Sequence, residues 1–195
     1  MNEVIVLMVG FAIGSIPFGF LIARIKNINL RHFGSGNVGA TNVGRALGPK
    51  YFLLVFMLDA LKGIAAVMIG KFLNLNPFLA GLGAILGHIF TPFLKFRGGK
   101  GVATSIGVLA SIFPRIFLIG LVVWIIVYLT TFYVSLASLC FATAFAFFNF
   151  LWGEKNPVNQ IAVLIVVLLI FSTHLPNIRR LIKKSEPKTI IWRKE

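Results

Sequence analysis

Apolar residues fill this chain in long runs, and polar residues collect in short intervals between them. The runs predict seven helical spans, at 4–23, 51–70, 78–95, 101–113, 115–131, 134–151 and 158–175. A helix needs roughly 20 residues to cross the hydrocarbon core of a bilayer. Irregular backbone at that depth would leave peptide groups unsatisfied, so helices are the expected spanning element. The fourth run is short, and Pro114 separates it from the fifth. The expected fold class is all-α: a polytopic integral membrane protein of about seven transmembrane helices, organised as one domain over 1–195.

Composition supports the membrane assignment. The 195 residues are 58% hydrophobic, with a formal net charge of +14 and a mean hydropathy of +0.93. A soluble domain of this length is not so apolar. The basic residues orient the spans, because Lys and Arg concentrate in cytoplasmic loops. With the N-terminus outside and the C-terminus cytoplasmic, the inward loops and tail hold 15 of the 19 basic residues, Arg193 and Lys194 among them. The outward loops hold only Lys71, Arg115 and Lys155. The start, Met1-Asn2-Glu3, lacks the positive region of a signal peptide, so the first apolar run is expected to stay as a helix. The single cysteine, Cys140, lies in an apolar run and reads as a small buried hydrophobe. No repeat supports an inverted-repeat transporter, and no separate soluble domain is evident.

Four polar clusters fall on the inferred cytoplasmic side. The first is Gly34-Ser35-Gly36-Asn37-Val38-Gly39-Ala40-Thr41-Asn42-Val43-Gly44-Arg45. It is too polar and glycine-rich to pack a core, but it suits an anion, because glycine lets backbone N–H groups approach a phosphate and adopts positive φ. The second, Phe96-Arg97-Gly98-Gly99-Lys100-Gly101-Val102-Ala103-Thr104, lies at the start of the fourth run. It reads either as a phosphate turn, where an ammonium joins a helix N-terminus, or as an ordinary basic membrane-edge turn. In the third, His174-Leu175-Pro176-Asn177-Ile178-Arg179-Arg180, His174 suits proton exchange and Asn177 suits substrate orientation. Arg179, Arg180, Lys183 and Lys184 suit contacts to anionic lipid heads. The fourth, Tyr133-Val134-Ser135 onward to Ser138, carries a weaker signal, since serines near helix ends commonly cap or pack.

Asp59 and Lys62 lie within the second run, where a charge costs roughly 2.5–3.5 kcal/mol on insertion scales. Spaced i, i+3, they either neutralise each other or serve a substrate. His88 reads as a structural hydrogen-bonding residue and His32 as solvated. Absent motifs narrow the chemistry: there is no GxxxxGK[ST] P-loop, no G-x-S-x-G elbow and no HExxH zinc site. The positions five after the histidines are Asn37, Phe93 and Arg179, so the His-x4-Asp pair of many glycerolipid acyltransferases is missing. Asp59 is the only aspartate, which argues against a carboxylate dyad or a multi-carboxylate metal cage.

Together these residues resemble the acyl-phosphate-dependent glycerol-3-phosphate acyltransferases of bacterial membranes, the PlsY family. The first family motif resembles Gly34 to Asn42 with Arg45 and Gly48; the second resembles Gly87-His88 and the stretch from Phe96 to Thr104. The third resembles His174 with Asn177 to Leu181, ending near Glu186. The chain departs from the family in having Arg97, Thr91 and Leu175 where lysine, proline and arginine are common. The resemblance implies transfer of the acyl group of acyl-phosphate to the sn-1 hydroxyl of glycerol-3-phosphate, giving lysophosphatidic acid and inorganic phosphate, with no metal and no cofactor. It implies a multi-pass protein of the bacterial cytoplasmic membrane, with its active site on the cytoplasmic side. The implied partners are the two substrates, the lipid bilayer and other phospholipid-synthesis enzymes, with no nucleic acid.

The implied catalytic residues are Ser35, Lys100, His174 and Asn177. Ser35, Arg45 and Lys100 would hold phosphate, with the N–H donors of Gly34, Gly36, Gly39, Gly98, Gly99 and Gly101 and the polar Thr41 and Asn42 around them. Asn37, Ser135 and Asn177 would orient the substrate hydroxyl or carbonyl. The base is either His174 or a phosphate oxygen of glycerol-3-phosphate itself, as substrate assistance in the family suggests. The competing function is an organic-phosphate membrane transporter, in which the same loops bind an anion for carriage.

Overall fold

A computed structural model describes residues 2–153 and 155–189 as helices joined by short loops. The chain divides into two units, one ending at Ile112 and the other spanning Phe113–Thr189. Arg193 and Lys194, counted with the basic tail, lie outside the described residues.

The first unit opens with α1 (Asn2–Gly14) and α2 (Phe18–Ile25). The helix expected at 4–23 is therefore interrupted. Pro17 has no N–H to donate and disfavours helical backbone at Ile16, and the Ser15 hydroxyl folds back onto the Phe11 carbonyl at 2.7 Å. A 3-10 turn (Leu30–His32) leads to the short α3 (Ala40–Leu47). Gly48, at φ +95°, turns the chain into α4 (Pro49–Phe72), which has proline in its first turn. Helix α5 (Pro77–Ile89) begins at Asn76, whose side chain accepts from the N–H groups of Phe78 and Leu79. A second 3-10 turn (Pro92–Leu94) precedes α6 (Val102–Ile112).

Small residues set the spacing inside this unit. Gly10 and Gly14 of α1 lie against the backbone of Ala80 and Ala84 in α5, while Gly83 and Gly87 of α5 lie against the carbonyls of Leu7 and Phe11. A Cβ at any of the four glycines would collide with a carbonyl oxygen. Such close backbone approach is how helices associate in lipid, where apolar burial alone gives no preference for protein over acyl chains. Helices α4 and α6 repeat the device, with Gly63 against Thr104 and Gly107 against Ala60.

In the second unit, α7 (Pro114–Thr131) and α8 (Val134–Trp152) are joined at Phe132, which adopts φ +59°. They pack through aromatic edges, Phe117 on Phe141 at 6.0 Å and Phe113 on Phe145 at 6.0 Å. Helix α9 (Pro157–Thr173) is followed by α10 (Leu175–Ile182) after a 55° bend at His174. The tail beyond α10 is pinned at Thr189, whose N–H donates to Phe132 and whose carbonyl accepts from the Tyr128 hydroxyl. Cys140 is half-buried in α8.

Among the described residues, five stretches are long and apolar enough to cross a membrane: Asn2–Ile25, Pro49–Phe72, Pro77–Leu94, Pro114–Thr131 and Val134–Trp152. The bent pair α9–α10 makes a sixth if it counts as one span. The fourth expected crossing differs. Helix α6 has 11 residues, and at 1.5 Å per residue it extends only about 17 Å, short of the ~30 Å hydrocarbon core. Leu53, Met68, Leu118 and Ile161 stay exposed on the helix surfaces, as lipid-facing side chains do.

Candidate active site

The first glycine loop is built around Asn42, which is 1% exposed. Its carbonyl oxygen accepts the Ser35 N–H at 3.0 Å. Its amide nitrogen faces the carbonyls of Phe33 and Asn37, both at 2.9 Å, and of Leu30 at 3.2 Å. A carboxamide used on both ends braces the loop rather than offering itself to a ligand. Gly34 and Gly36 take positive φ, +53° and +70°, where a side chain would be strained. The Asn37 side chain accepts from Gly39 N–H at 2.8 Å, and Gly39 starts α3. Ser35, Asn37 and Thr41 are half-buried, while Arg45, on α3, is buried.

The second loop approaches the first through Arg31. Its guanidinium donates to the Gly36 carbonyl at 3.3 Å and, through its other terminal nitrogen, to the Arg97 carbonyl. Partial burial, and then the charge of Arg97, lower the pKa of Arg31 from its ordinary value. Sequence reasoning passed over this arginine, because nothing in a linear reading pairs it with a residue 66 positions away. Beyond Arg97, Gly98 N–H donates to Ile89 O at 2.8 Å and Gly99 N–H to His88 O at 3.1 Å. Lys100 is half-buried, and Gly101, at φ +81°, turns the chain into α6. The first turn of that helix leaves N–H groups without helical acceptors and carries the positive end of its dipole.

These bonds change the role expected of the glycines. The N–H groups of Ser35, Gly36, Gly39, Gly98 and Gly99 are all engaged within the protein. Those five N–H groups are spent on holding the loops, and the charged side chains of this unit's loops include Arg45 and Lys100. Pro17, Val38, Asp59, Lys62, His88 and Gly99 line a small pocket with room for about one water molecule.

The second unit gathers its own polar cluster around Glu186. The Ser135 hydroxyl donates to Glu186 Oε1 at 2.7 Å, and Asn177 Nδ2 donates to the same oxygen at 2.6 Å. Arg180 Nε donates to Oε2 at 2.7 Å, completing an ion pair. Burial alone would raise the Glu186 pKa, but the bonds from Asn177, Ser135 and Arg180 and the arginine charge together hold it below its ordinary value. The sequence marked Glu186 only as the end of a motif; its service as the shared acceptor is visible in three dimensions alone. His174 is buried at the α9–α10 bend, with Nδ1 2.7 Å from the Ile170 carbonyl. A carbonyl can only accept, so Nδ1 carries a proton and donates to it.

Known proteins point the same way. The sequence profile of the family described as "Glycerol-3-phosphate acyltransferase" matches residues 4–184. A protein named glycerol-3-phosphate acyltransferase from Aquifex aeolicus is 44% identical over 191 residues, covering 95% of this chain and 98% of its own. One of the same name from a Thermoanaerobacter species is 40% identical, with 96% of each chain covered. Among solved structures, PlsY (YgiH), described as an integral membrane glycerol 3-phosphate acyltransferase, aligns in its glycerol 3-phosphate form with a TM-score of 0.92. It shares 38% identity, with 97% of this chain and 96% of that one covered. The lysophosphatidic acid form of PlsY aligns with a TM-score of 0.87, also at 38% identity, covering 96% and 95%.

Proposed function

This chain belongs to the glycerol-3-phosphate acyltransferase family, and on that premise we propose that it transfers the acyl group of acyl-phosphate to the sn-1 hydroxyl of glycerol-3-phosphate. The products are 1-acyl-glycerol-3-phosphate and inorganic phosphate, and the whole chain acts as one acyltransferase. The observation that carries this reading is the Arg31 bridge. It holds the loop of Ser35 beside the turn that leads to Lys100, and a chemistry with two phosphate-bearing substrates calls for such a collection of cations and hydroxyls.

In the proposed step, the sn-1 oxygen bonds to the acyl carbonyl carbon, the bond from that carbon to the phosphate oxygen breaks, and phosphate departs. The hydroxyl proton goes to a phosphate oxygen of glycerol-3-phosphate. Acyl-phosphate is already activated, so alignment and stabilisation of the developing oxyanion carry most of the catalysis. Ser35, Arg45 and Lys100 bind phosphate, and Asn37 orients the reacting groups. Ser135 and Asn177 belong to the cluster whose geometry Glu186 sets. The charge distribution supports an outer N-terminus and a cytoplasmic C-terminus and active site in the bacterial cytoplasmic membrane.

The test uses purified protein in detergent with acyl-phosphate and labelled glycerol-3-phosphate, read as labelled lysophosphatidic acid. Acyl-CoA and acylated carrier protein supplied in place of acyl-phosphate should give no product. Product formed from acyl-CoA alone would refute the donor. An absence of product in detergent together with phosphate uptake into liposomes would identify a transporter instead. His174→Ala that loses turnover yet keeps glycerol-3-phosphate affinity would move the base from the substrate to His174.

A further inference from the structure

Three ionisable side chains in the first unit have no part in the chemistry above. Asp59 and Lys62 of α4 and His88 of α5 are 2%, 4% and 8% exposed, deep in an apolar bundle. Lys62 Nζ lies 2.9 Å from Asp59 Oδ1, donates to the Ile16 carbonyl at 3.1 Å, and sits 5.9 Å above the Phe18 ring. Those contacts anchor it at the break between α1 and α2. His88 Nδ1 faces Asp59 Oδ1 at 3.6 Å. The far edge of the His88 ring lies against Gly99, where a Cβ would collide with Nε2, and a Cβ at Gly98 would collide with the His88 carbonyl.

A pair needed only to cancel two charges would not require the third member or its contact with the loop. This cluster runs without a gap from the helix break at Ile16, through Lys62, Asp59 and His88, to the residue before Lys100. Glycine stands at 98 and 99 because His88 occupies the space that side chains there would need, and both N–H groups are spent on α5 carbonyls. The geometry points to Asp59, Lys62 and His88 as positioning residues: they fix the Gly98-Gly99 turn and, through it, the placement of Lys100 against phosphate. This rests on the assignment of Lys100 as a phosphate ligand.

The experiment measures binding of glycerol-3-phosphate and of inorganic phosphate by calorimetry, with thermal unfolding recorded for every variant. Lys100→Met tests the underlying assignment and identifies which of the two ligands reports on the turn; unchanged affinity for both would refute that assignment itself. For the reporting ligand, His88→Ala and Gly99→Ala should each weaken binding about tenfold, within the range of coupling between touching residues. The double variant should bind no more weakly than His88→Ala, because removing the ring makes room for the new methyl. His88→Asn, which keeps a polar group toward Asp59 but is too short to support the turn, should show the same weakening if His88→Ala fails to fold. Wild-type affinity in a folded His88 variant, while Lys100→Met binds weakly, would overturn the proposal and leave the phosphate assignment standing. So would losses that simply multiply in the double variant.

Discussion

Glu186→Gln is the sharpest test of the second unit, because one carboxylate there serves three donors. Glutamine keeps one acceptor oxygen for Ser135 and Asn177 but removes the charge and turns an N–H₂ toward Arg180. Hydrogen bonds to charged groups contribute about 1.5–3 kcal/mol each, against about 1 for neutral ones. Two weakened bonds therefore cost about 1–4 kcal/mol. Arg180 is 32% exposed, so its ion pair adds no more than about 1 kcal/mol. The expected total, about 1–5 kcal/mol, corresponds to a fall in Tm of roughly 2–20 °C for a chain of this size. The sign of the pH dependence follows from the depressed Glu186 pKa. In the unfolded chain the group titrates in its ordinary range, so its contribution is fully present above that range and is lost as pH falls through the lower, folded value. Differential scanning fluorimetry in detergent from neutral to acid pH should show wild type losing stability on the acid side, with a shallower slope for Glu186→Gln. Equal melting of the two proteins at neutral pH, with equal acid slopes, would refute the role given to the carboxylate.

Three further outcomes follow from the first unit. Asn42→Ala strips the Ser35 N–H and three carbonyls of their partner and should lower kcat/KM for glycerol-3-phosphate roughly 10- to 100-fold, the equivalent of two or three lost bonds; wild-type kinetics would show that the loop holds itself. Arg31→Met, which unties Gly36 from Arg97 while keeping the aliphatic stem, should weaken kcat/KM about tenfold, as loss of one or two bonds to a charged donor implies, and an unchanged value would detach Arg31 from loop placement. Gly87→Leu drives a side chain into the Phe11 carbonyl and should cost more than about 4 kcal/mol by overpacking, seen as loss of the monodisperse peak on size-exclusion chromatography; normal folding would mean that α1 and α5 need not touch there.

Hydropathy located the helices well because a run of apolar residues and a helix buried in lipid are the same physical requirement. It misjudged places where the backbone, rather than side-chain polarity, decides. Ser15-Ile16-Pro17 reads as part of one oily run, yet Pro17 removes a donor and splits α1 from α2. The run at 101–113, by contrast, coincides with α6 (Val102–Ile112) to within a residue at each end, with Gly101, at positive φ, and Pro114 marking its limits. His174 lies at a bend for a related reason: Pro176 occupies the first turn of α10, and the chain kinks just ahead of it.

Side-chain types announced the candidate site more clearly than its geometry. A loop rich in glycine, serine and asparagine can either present its N–H groups to an anion or use the same atoms to hold its own shape, and composition is identical in the two cases. Here the bonds of Ser35, Gly36, Gly39, Gly98 and Gly99 are internal, so these glycines supply tight turns and close approach, and in the proposed site the charge falls to Arg45 and Lys100. Glycine-to-alanine changes at 98 or 99 should then act through displacement of the His88 contact, not through loss of a donor to phosphate. The same logic explains how Asp59 and Lys62 sit within an apolar span. Each has a partner within the bundle, and the line of contacts ends at His88, beneath the turn that carries Lys100.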